Sequence, residues 1–205
     1  SHCAGGRLQL GDHAVHGRSD RRLLDLECGQ VQGIFGRMHL RRGRLDLGRL
    51  GAVEQFSRVA MKPGKPLTFS YVESGSGLSG RRVLWFGLPG NPASSMVSFE
   101  LFVRPALRRL CGLPEPAIHR PRAWVSLAQP VEPDRSRLHF TRARVERQID
   151  PAAPGTDTLL ATPLLFQGSG MLRSMLGINA LLHIPPGPSV LPAGARVLST
   201  LLAAV

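Results

Sequence analysis

The sequence of 205 residues contains only two lysines, three cysteines and one tyrosine. It has no apolar run of the ~20 residues that a membrane-spanning helix needs, so we expect no membrane partner. The cysteines, Cys3, Cys28 and Cys111, are odd in number and lack metal-type spacing. They fit a reducing compartment, here the cytoplasm, and argue against a disulfide scaffold or a structural zinc site. The first residues lack the apolar core of a secretory signal, which agrees with that location.

The positive charge is carried almost entirely by arginine. The formal net charge is +12, and 24 of the 26 basic residues are arginines. Basic and aromatic residues do not alternate as they do where bases are stacked, so we do not expect nucleic acid to be the partner. A basic pI alone supports only non-specific attraction. We expect instead a protein that handles small anions.

Composition and apolar periodicity divide the chain into three regions. Residues 1–48 are rich in arginine and glycine without a sustained apolar period, and we expect this atypical segment to be poorly ordered. Residues 49–113 have the pattern of an α/β domain. Residues 114–205 contain short strands separated by proline and glycine, which is typical of a small all-β barrel or sandwich.

In the α/β region, strands are predicted at residues 53–61, 67–72 and 83–88. The last of these is a continuous apolar run, which is typical of a strand buried on both faces. Asn91 and Pro92 then predict the start of a helix, because asparagine is a good N-cap and proline fits the first turn.

Breakers and turn signals predict the remaining boundaries. Pro105 is expected to kink or split the helix, and Gly112 to end it. Residues 74–80, rich in glycine and serine, predict a flexible loop. In the last region, strands are predicted at residues 124–127, 138–145, 158–160, 180–184 and 196–202.

Both lysines of the chain lie in one segment, Lys62-Pro63-Gly64-Lys65-Pro66. Pro63-Gly64 predicts a type II turn, since proline fixes φ and glycine accepts a positive φ. The turn brings two ammonium groups together, which is tolerated most easily when an anion lies between them. An exposed turn with two solvated charges is the alternative.

A second motif, Pro89-Gly90-Asn91-Pro92-Ala93-Ser94-Ser95, lies between the apolar strand and the helix. A helix start offers unpaired N–H groups and partial positive charge, which suit an oxyanion. Gly90 allows a ligand to approach the backbone, and the two serines add hydroxyl donors. An ordinary capped helix start is the alternative.

Together the motifs resemble a known family. Residues 59–69 (VAMKPGKPLTF), 86–94 (FGLPGNPAS) and 99–107 (FELFVRPAL) closely resemble the molybdopterin molybdotransferase family, which includes bacterial MoeA, the gephyrin E domain and the plant homologue. The resemblance continues more weakly at residues 172–175 (LRSM) and 179–182 (NALL). It implies the C-terminal half of the enzyme: part of a pterin-binding, MogA-like, three-layer α/β domain, followed by a small all-β barrel domain.

The resemblance also implies a function in molybdenum cofactor biosynthesis, the insertion of molybdate into adenylylated molybdopterin. This is an ATP-linked transferase reaction assisted by Mg²⁺, and the full-length family is expected to form homodimers. Lys62 and Lys65 are implied to be catalytic, while the metal ligands stay unassigned. The residues implied to bind molybdate or molybdopterin are Lys62, Gly64, Lys65, Pro66, Pro89, Gly90, Asn91, Pro92, Ser94, Arg142 and Ser169.

Residues 1–48 depart from the family pattern, and Asp12 is not assigned to magnesium. The family's two N-terminal domains have no counterpart in the sequence, so we expect a C-terminal fragment or a divergent copy. The alternative function is a non-catalytic pterin-binding module or a gephyrin-like scaffold module.

Overall fold

The computed structural model describes residues 47–73, 82–149 and 157–205, together with the backbone of two short strands. These strands, β1 (Gly6–Leu8) and β2 (Leu24–Leu26), pair antiparallel. Apart from them, the expectation for residues 1–46 lies outside the described residues, as does the loop expected at residues 74–80.

The elements that follow β2 agree with most of the predicted boundaries. The strands predicted at residues 67–72 and 83–88 and the five strands of the last region are confirmed. In chain order the elements are β3 (Val53–Phe56), β4 (Met61–Lys62), β5 (Thr68–Glu73), β6 (Arg82–Gly87), α1 (Pro92–Ser98), a π-helical turn (Phe99–Val103), α2 (Arg104–Leu110), α3 (Glu115–Ile118), β7 (Arg122–Leu127), β8 (Leu138–Gln148), β9 (Thr158–Pro163), a 3₁₀ turn (Leu172–Met175), β10 (Ala180–Ile184) and β11 (Arg196–Leu201).

The chain forms two compact units. The first unit consists of Ser1–Val59, Gly64–Gly90 and Ser98–His119, and the second, here called the barrel unit, of Ala60–Pro63, Asn91–Val97 and Arg120–Val205. The strand predicted at residues 53–61 is therefore divided. Its first part, β3, belongs to the first unit, whereas β4 belongs to the barrel unit.

In the first unit, β3, β5 and β6 form an antiparallel sheet in the order β3-β5-β6. Its packing centres on Phe69, whose ring lies 5.8 Å from Phe56 and 4.7 Å from Phe86 between centroids. Phe56 also contacts Phe102 of the π-helical turn at 6.2 Å, so aromatic contacts hold that turn against the sheet.

The prediction that residues 83–88 are buried on both faces was wrong. The side chain of Val83 is 47% exposed, and residues 84–88 are only half-buried. The reason is the position of β6, which ends the strand order of this sheet and pairs antiparallel with β5 alone. A strand in that position has one long edge without a neighbouring strand among the described residues.

The split of the helix at Pro105 is confirmed. The N–H of Arg104 donates to the carbonyl of Phe99, five residues back, which marks the π-helical turn before α2 begins. Proline lacks an N–H and its ring clashes with the carbonyl four residues back, so the regular α-helical hydrogen bonding is interrupted before it and resumes in α2. Gly112 ends the helical region with a φ of 74°.

The barrel unit contains a closed five-stranded barrel. Its strands follow the order β10-β11-β7-β9-β8, and pairing of β10 with β8 closes it. All the pairings are antiparallel except β7 with β9. Closure leaves the interior to apolar side chains, which are Val125, Leu127, Val131, Ala143, Val145, Ala161, Ala180, Leu182, Ile184 and Val197.

Candidate anion-binding site

Strand β4 carries the first lysine of the lysine-rich segment into the barrel unit. Met61 and Lys62 pair in parallel with Leu138 and His139 of β8. Met61 is fully buried and anchors this two-residue strand, whereas the side chain of Lys62 is 45% exposed. The ammonium group of Lys62 is thus attached to a fixed backbone but remains accessible to solvent.

The turn after β4 differs from the predicted one. Gly64 has a φ of 117°, which confirms that glycine is needed there, and the Lys62–Pro63 peptide is cis. The turn hydrogen bond runs from the Leu67 N–H to the Gly64 carbonyl, two residues later than a turn centred on Pro63-Gly64. Pairing of Lys62 with β8 explains the delay, since it keeps that residue in a strand.

Asp134 is the ion-pair partner of Lys62. The Lys62 Nζ lies 3.7 Å from Asp134 Oδ2, and the Arg137 Nη2 lies closer to the same oxygen, at 2.7 Å. The hydrogen bond from Arg137, followed by that from the Ser136 N–H, holds the pKa of Asp134 well below its usual range. The carboxylate is therefore ionised at neutral pH.

His139 is buried beside this cluster. Its Nδ1 has no hydrogen-bond partner among the described residues. Burial, and next the positive charge of Lys62, lower the pKa of His139 to about 4. The ring is consequently neutral at pH 7, and the positive charge of the neighbourhood comes from Lys62, Arg137 and Arg142.

Among the residues that the structure describes, Arg142 is the largest side chain that is fully buried. Its Nε donates to Gln167 Oε1 at 3.2 Å, and its Nη1 donates to the Gly168 carbonyl at 3.3 Å. The remaining nitrogen, Nη2, has no partner among the described residues. Burial lowers the pKa of the guanidinium, yet none of its described partners carries a negative charge. Such a buried cation favours an anion as its partner.

Gln167 holds Arg142 in place through the backbone as well. Its Oε1 accepts the Arg142 N–H at 3.0 Å, and its Nε2 donates to the carbonyls of Arg142 at 2.9 Å and Leu164 at 2.8 Å. One amide side chain thereby satisfies both backbone groups of Arg142 and one guanidinium nitrogen. The arginine head has little freedom to move.

Ser169 connects this loop with the start of α1. Its Oγ accepts a hydrogen bond from Asn91 Nδ2 at 3.0 Å, and its carbonyl accepts the Ala93 N–H at 3.2 Å. The Ser95 hydroxyl donates to the Asn91 carbonyl at 3.2 Å. The Ala93 N–H and the Ser95 hydroxyl therefore already have partners within the protein. The helix start offers fewer donors to an anion than the motif predicts.

The predicted site residues are distributed over both units. Lys62 and Arg142 lie in the same unit, because β4 pairs with the strand that carries Arg142. The residues in the barrel unit are Lys62, Asn91, Pro92, Ser94, Arg142 and Ser169, and those in the first unit are Gly64, Lys65, Pro66, Pro89 and Gly90.

Four residues around the lysine and the buried arginine were not predicted from the sequence: Asp134, Arg137, His139 and Gln167. An aspartate that accepts the N–H two residues on is typical of a turn, so Asp134 before Ser136 predicts a turn and not a partner for Lys62. No spacing or motif in the sequence distinguishes Gln167 from other loop amides.

The part of the chain that the structure describes contains neither a metal-ligand cluster nor a membrane-spanning helix. No group of three or more histidine, cysteine, aspartate or glutamate side chains there is placed to hold a metal ion. In the same residues, every helix is too short or too polar to cross a membrane.

The fold and site define a class of protein, an α/β unit combined with a small closed barrel that carries a buried arginine. Residues 125–202 match the family described as MoeA C-terminal region (domain IV), and residues 45–109 match the family described as probable molybdopterin binding domain. The chain belongs to the MoeA family, whose C-terminal region it contains.

Individual relatives agree with this assignment. Molybdopterin molybdenumtransferase 2 of Mycobacterium tuberculosis is 35% identical over 143 residues, which cover 70% of this chain and 31% of the relative. Gephyrin of Dictyostelium discoideum is 33% identical over 177 residues, which cover 78% and 24%. The crystal structure of the molybdopterin biosynthesis MoeA protein from Pyrococcus horikoshii OT3 has a TM-score of 0.51 and 27% identity, covering 72% and 32%. The chain thus spans a third or less of the length of these three relatives.

Proposed function

We propose that this chain carries the molybdate-handling part of a molybdopterin molybdotransferase, which inserts molybdate into adenylylated molybdopterin during molybdenum cofactor biosynthesis. Membership of the MoeA family and the names of the similar proteins support the proposal. The observation that carries it is Arg142, a fully buried guanidinium whose Nη2 has no partner among the described residues.

Molybdate suits these residues chemically. It is a tetrahedral dianion, so it accepts several charge-assisted hydrogen bonds from guanidinium, ammonium and hydroxyl donors. Arg142 is held at Nε and Nη1 by Gln167 and Gly168, so its free nitrogen is already positioned before an anion binds. A donor fixed in this way loses little conformational entropy on binding. Lys62 supplies a second, partly exposed cation.

The other residues of the two motifs complete the proposal. We assign Lys62 and Lys65 to catalysis, because an ammonium group stabilises negative charge on oxyanion and leaving-group oxygens. Gly64 lies between the two lysines and Pro66 follows them, and we assign both to the shape of this segment. Ser94 and Ser169 are the proposed hydroxyl groups near the anion.

The loop before α1 is assigned to the molybdopterin side of the reaction. Gly90 is exposed, and no atom lies within 4 Å of the position that a Cβ would take there. This open space suits close approach of a ligand to the backbone. Pro89, Asn91 and Pro92 are the other residues of that loop that we assign to molybdopterin.

The family resemblance adds expectations of finer detail. They are an adenylylated, ATP-linked pterin substrate, assistance by Mg²⁺, and a homodimer in the full-length protein. Two further expectations come from the sequence itself: a cytoplasmic location, suggested by cysteine usage, and domains at residues 49–113 and 114–205. The described residues do not fit a magnesium site, because they contain no suitable cluster and Asp134 is paired with two cations. We therefore assign no step to Mg²⁺.

Calorimetric titration of the chain with sodium molybdate tests the site. Arg142→Met keeps the side-chain length but removes the charge, and it should weaken molybdate binding by about 10- to 150-fold, the range for a hydrogen bond to a charged group. Arg144→Met is the matched control, since Arg144 lies two residues further along β8 and is 60% exposed.

Equal affinity of the two variants would show only a diffuse positive field and would contradict the proposed site. Circular dichroism and thermal unfolding of both variants establish that each is folded. Titration with sulfate, a tetrahedral dianion of similar size, separates recognition of charge and shape from recognition of molybdenum.

A further inference from the structure

Asp134 lies between two cations and holds them unequally. Arg137 makes two contacts with its carboxylate, Nη2 to Oδ2 at 2.7 Å and Nε to Oδ1 at 3.3 Å. Lys62 makes one longer contact, Nζ to Oδ2 at 3.7 Å. The carboxylate is thus bound firmly to Arg137 and loosely to Lys62.

The position of Asp134 does not depend on Lys62. Its Oδ1 accepts the N–H groups of Ser136 and Arg137, both at 3.1 Å. Its own carbonyl accepts the Gly187 N–H at 3.1 Å. The aspartate side chain is only 11% exposed, whereas the lysine side chain is 45% exposed. If the ion pair opens, the lysine moves and the aspartate stays.

We propose that Asp134 is a positioning residue, an internal counter-ion that holds the Lys62 ammonium until an oxyanion takes the place of the carboxylate as its partner. The inference rests on the proposed function, because Lys62 is there a ligand of molybdate. It adds a residue that the family resemblance does not assign. It also explains why the Lys62 ammonium keeps a defined place beside β8 before an anion binds.

This exchange has a consequence for selectivity. When a monoanion replaces the carboxylate at Lys62, one single negative charge replaces another and the electrostatic gain is small. A dianion brings one more negative charge to a neighbourhood that contains Lys62, Arg137 and Arg142. The cost of opening the ion pair is the same for both ligands, and a dianion recovers more of it than a monoanion does.

Asp134→Asn tests the proposal while preserving the loop. Asparagine keeps an oxygen that accepts the N–H groups of Ser136 and Arg137, but it removes the charge that holds Lys62. Molybdate should bind this variant about 2- to 5-fold more tightly, the range expected for a partly exposed ion pair. Perchlorate, a tetrahedral monoanion, should gain no more than molybdate, because the Asp134 charge repels a monoanion less than a dianion.

The matched control is Glu146→Gln. Glu146 lies in the same unit and pairs with Arg144 at 2.7 Å, so its substitution removes one negative charge without touching Lys62. In a Lys62→Met background the gain from Asp134→Asn should disappear. An equal gain from Glu146→Gln, or persistence of the gain without Lys62, would mean that only the general field matters and would overturn the proposal.

A second readout needs no anion. The sequence contains only two lysines, so reductive ¹³C-methylation yields two lysine signals in an NMR spectrum, and Lys62→Met assigns them. Dimethyl-lysine keeps its positive charge. Asp134→Asn should shift the Lys62 signal and leave the Lys65 signal in place.

The two proposals fail in different ways. If molybdate shifts neither lysine signal of the unsubstituted chain, Lys62 is not an anion ligand and the proposed function fails at that residue. If molybdate shifts the Lys62 signal but Asp134→Asn changes neither that signal nor the affinity, the site stands and the counter-ion role is overturned.

Discussion

Lys62 of β4 lies directly opposite His139 of β8 in the short parallel pairing between these strands. The pairing brings the positive charge of Lys62 near a buried imidazole whose pKa is lowered to about 4, first by burial and then by Lys62. A neutral His139 is compatible with a nearby cation, whereas a protonated one adds a buried like charge. The relationship makes the stability of the barrel unit depend on pH.

The free energy of unfolding should fall as the pH falls from 6.5 to 4. Burial lowers the pKa of both His139 and His183 to about 4 from the usual value of 6.5. In that window the unfolded chain binds protons that the folded chain does not, so acid favours unfolding, by on the order of 2–3 kcal/mol for each histidine. Asp134 does not contribute there, because its folded-state pKa is lowered and its contribution is lost only in stronger acid.

Urea unfolding at pH 7, 6 and 5 measures this dependence. His139→Leu should remove roughly half of the slope, since one of the two buried imidazoles is then absent. A free energy of unfolding that stays constant between pH 7 and 4.5 would contradict the prediction.

Gly87→Ala should destabilise the first unit. A Cβ at residue 87 would lie 2.2 Å from Thr68 Oγ1, on the strand paired with β6, which is far inside van der Waals contact. We expect a loss of ~1–3 kcal/mol, the usual range for overpacking. Gly90→Ala is the control, because its Cβ would meet no atom within 4 Å.

Thermal unfolding of both glycine variants provides the comparison. Combining Gly87→Ala with Thr68→Ala removes the clashing oxygen and should recover part of the lost stability. The prediction is wrong if Gly87→Ala melts at the same temperature as Gly90→Ala.

Gln167→Met should weaken both folding and molybdate binding. The substitution removes the partner of the Arg142 backbone N–H, whereas the Arg142 carbonyl loses one of two donors and keeps the Leu164 N–H at 3.0 Å. A buried polar group without a partner costs ~1–3 kcal/mol. The guanidinium also loses its Nε contact, so its free nitrogen is less well positioned for an anion.

Chemical denaturation and molybdate titration measure the two effects on the same protein. Gln148→Met serves as the control, since Gln148 lies exposed at the end of β8. Unchanged affinity together with reduced stability would restrict Gln167 to a structural role.

Molybdate should stabilise the folded chain in proportion to its occupancy. A ligand that binds only the folded state contributes ~2.7 kcal/mol at a concentration of 100 times its Kd. Scanning calorimetry in molybdate and in nitrate of equal ionic strength should show a rise in Tm with molybdate alone. An equal rise in nitrate would indicate general screening of the net charge of +12 instead of a specific site.

Local patterns in the sequence were sufficient for most of the elements. The five barrel strands were predicted because short apolar segments bounded by proline and glycine have few alternatives. The helix boundaries at Pro92, Pro105 and Gly112 follow from the backbone chemistry of single residues. The exposure of Val83 could not be predicted from a local pattern, because it depends on which strands lie beside β6.

The sequence by itself determined the two motifs, the elements around them and the family to which they belong, since these depend on residues close together in the chain. Only the tertiary structure decided what the charged side chains contact. Pairing of β4 with β8 brings Lys62 to Asp134, and the loop after β9 brings Gln167 to Arg142. These contacts join residues far apart in sequence, and local patterns carry no information about them. Burial then determines which cation is left without a partner, because solvation of a side chain depends on everything packed around it.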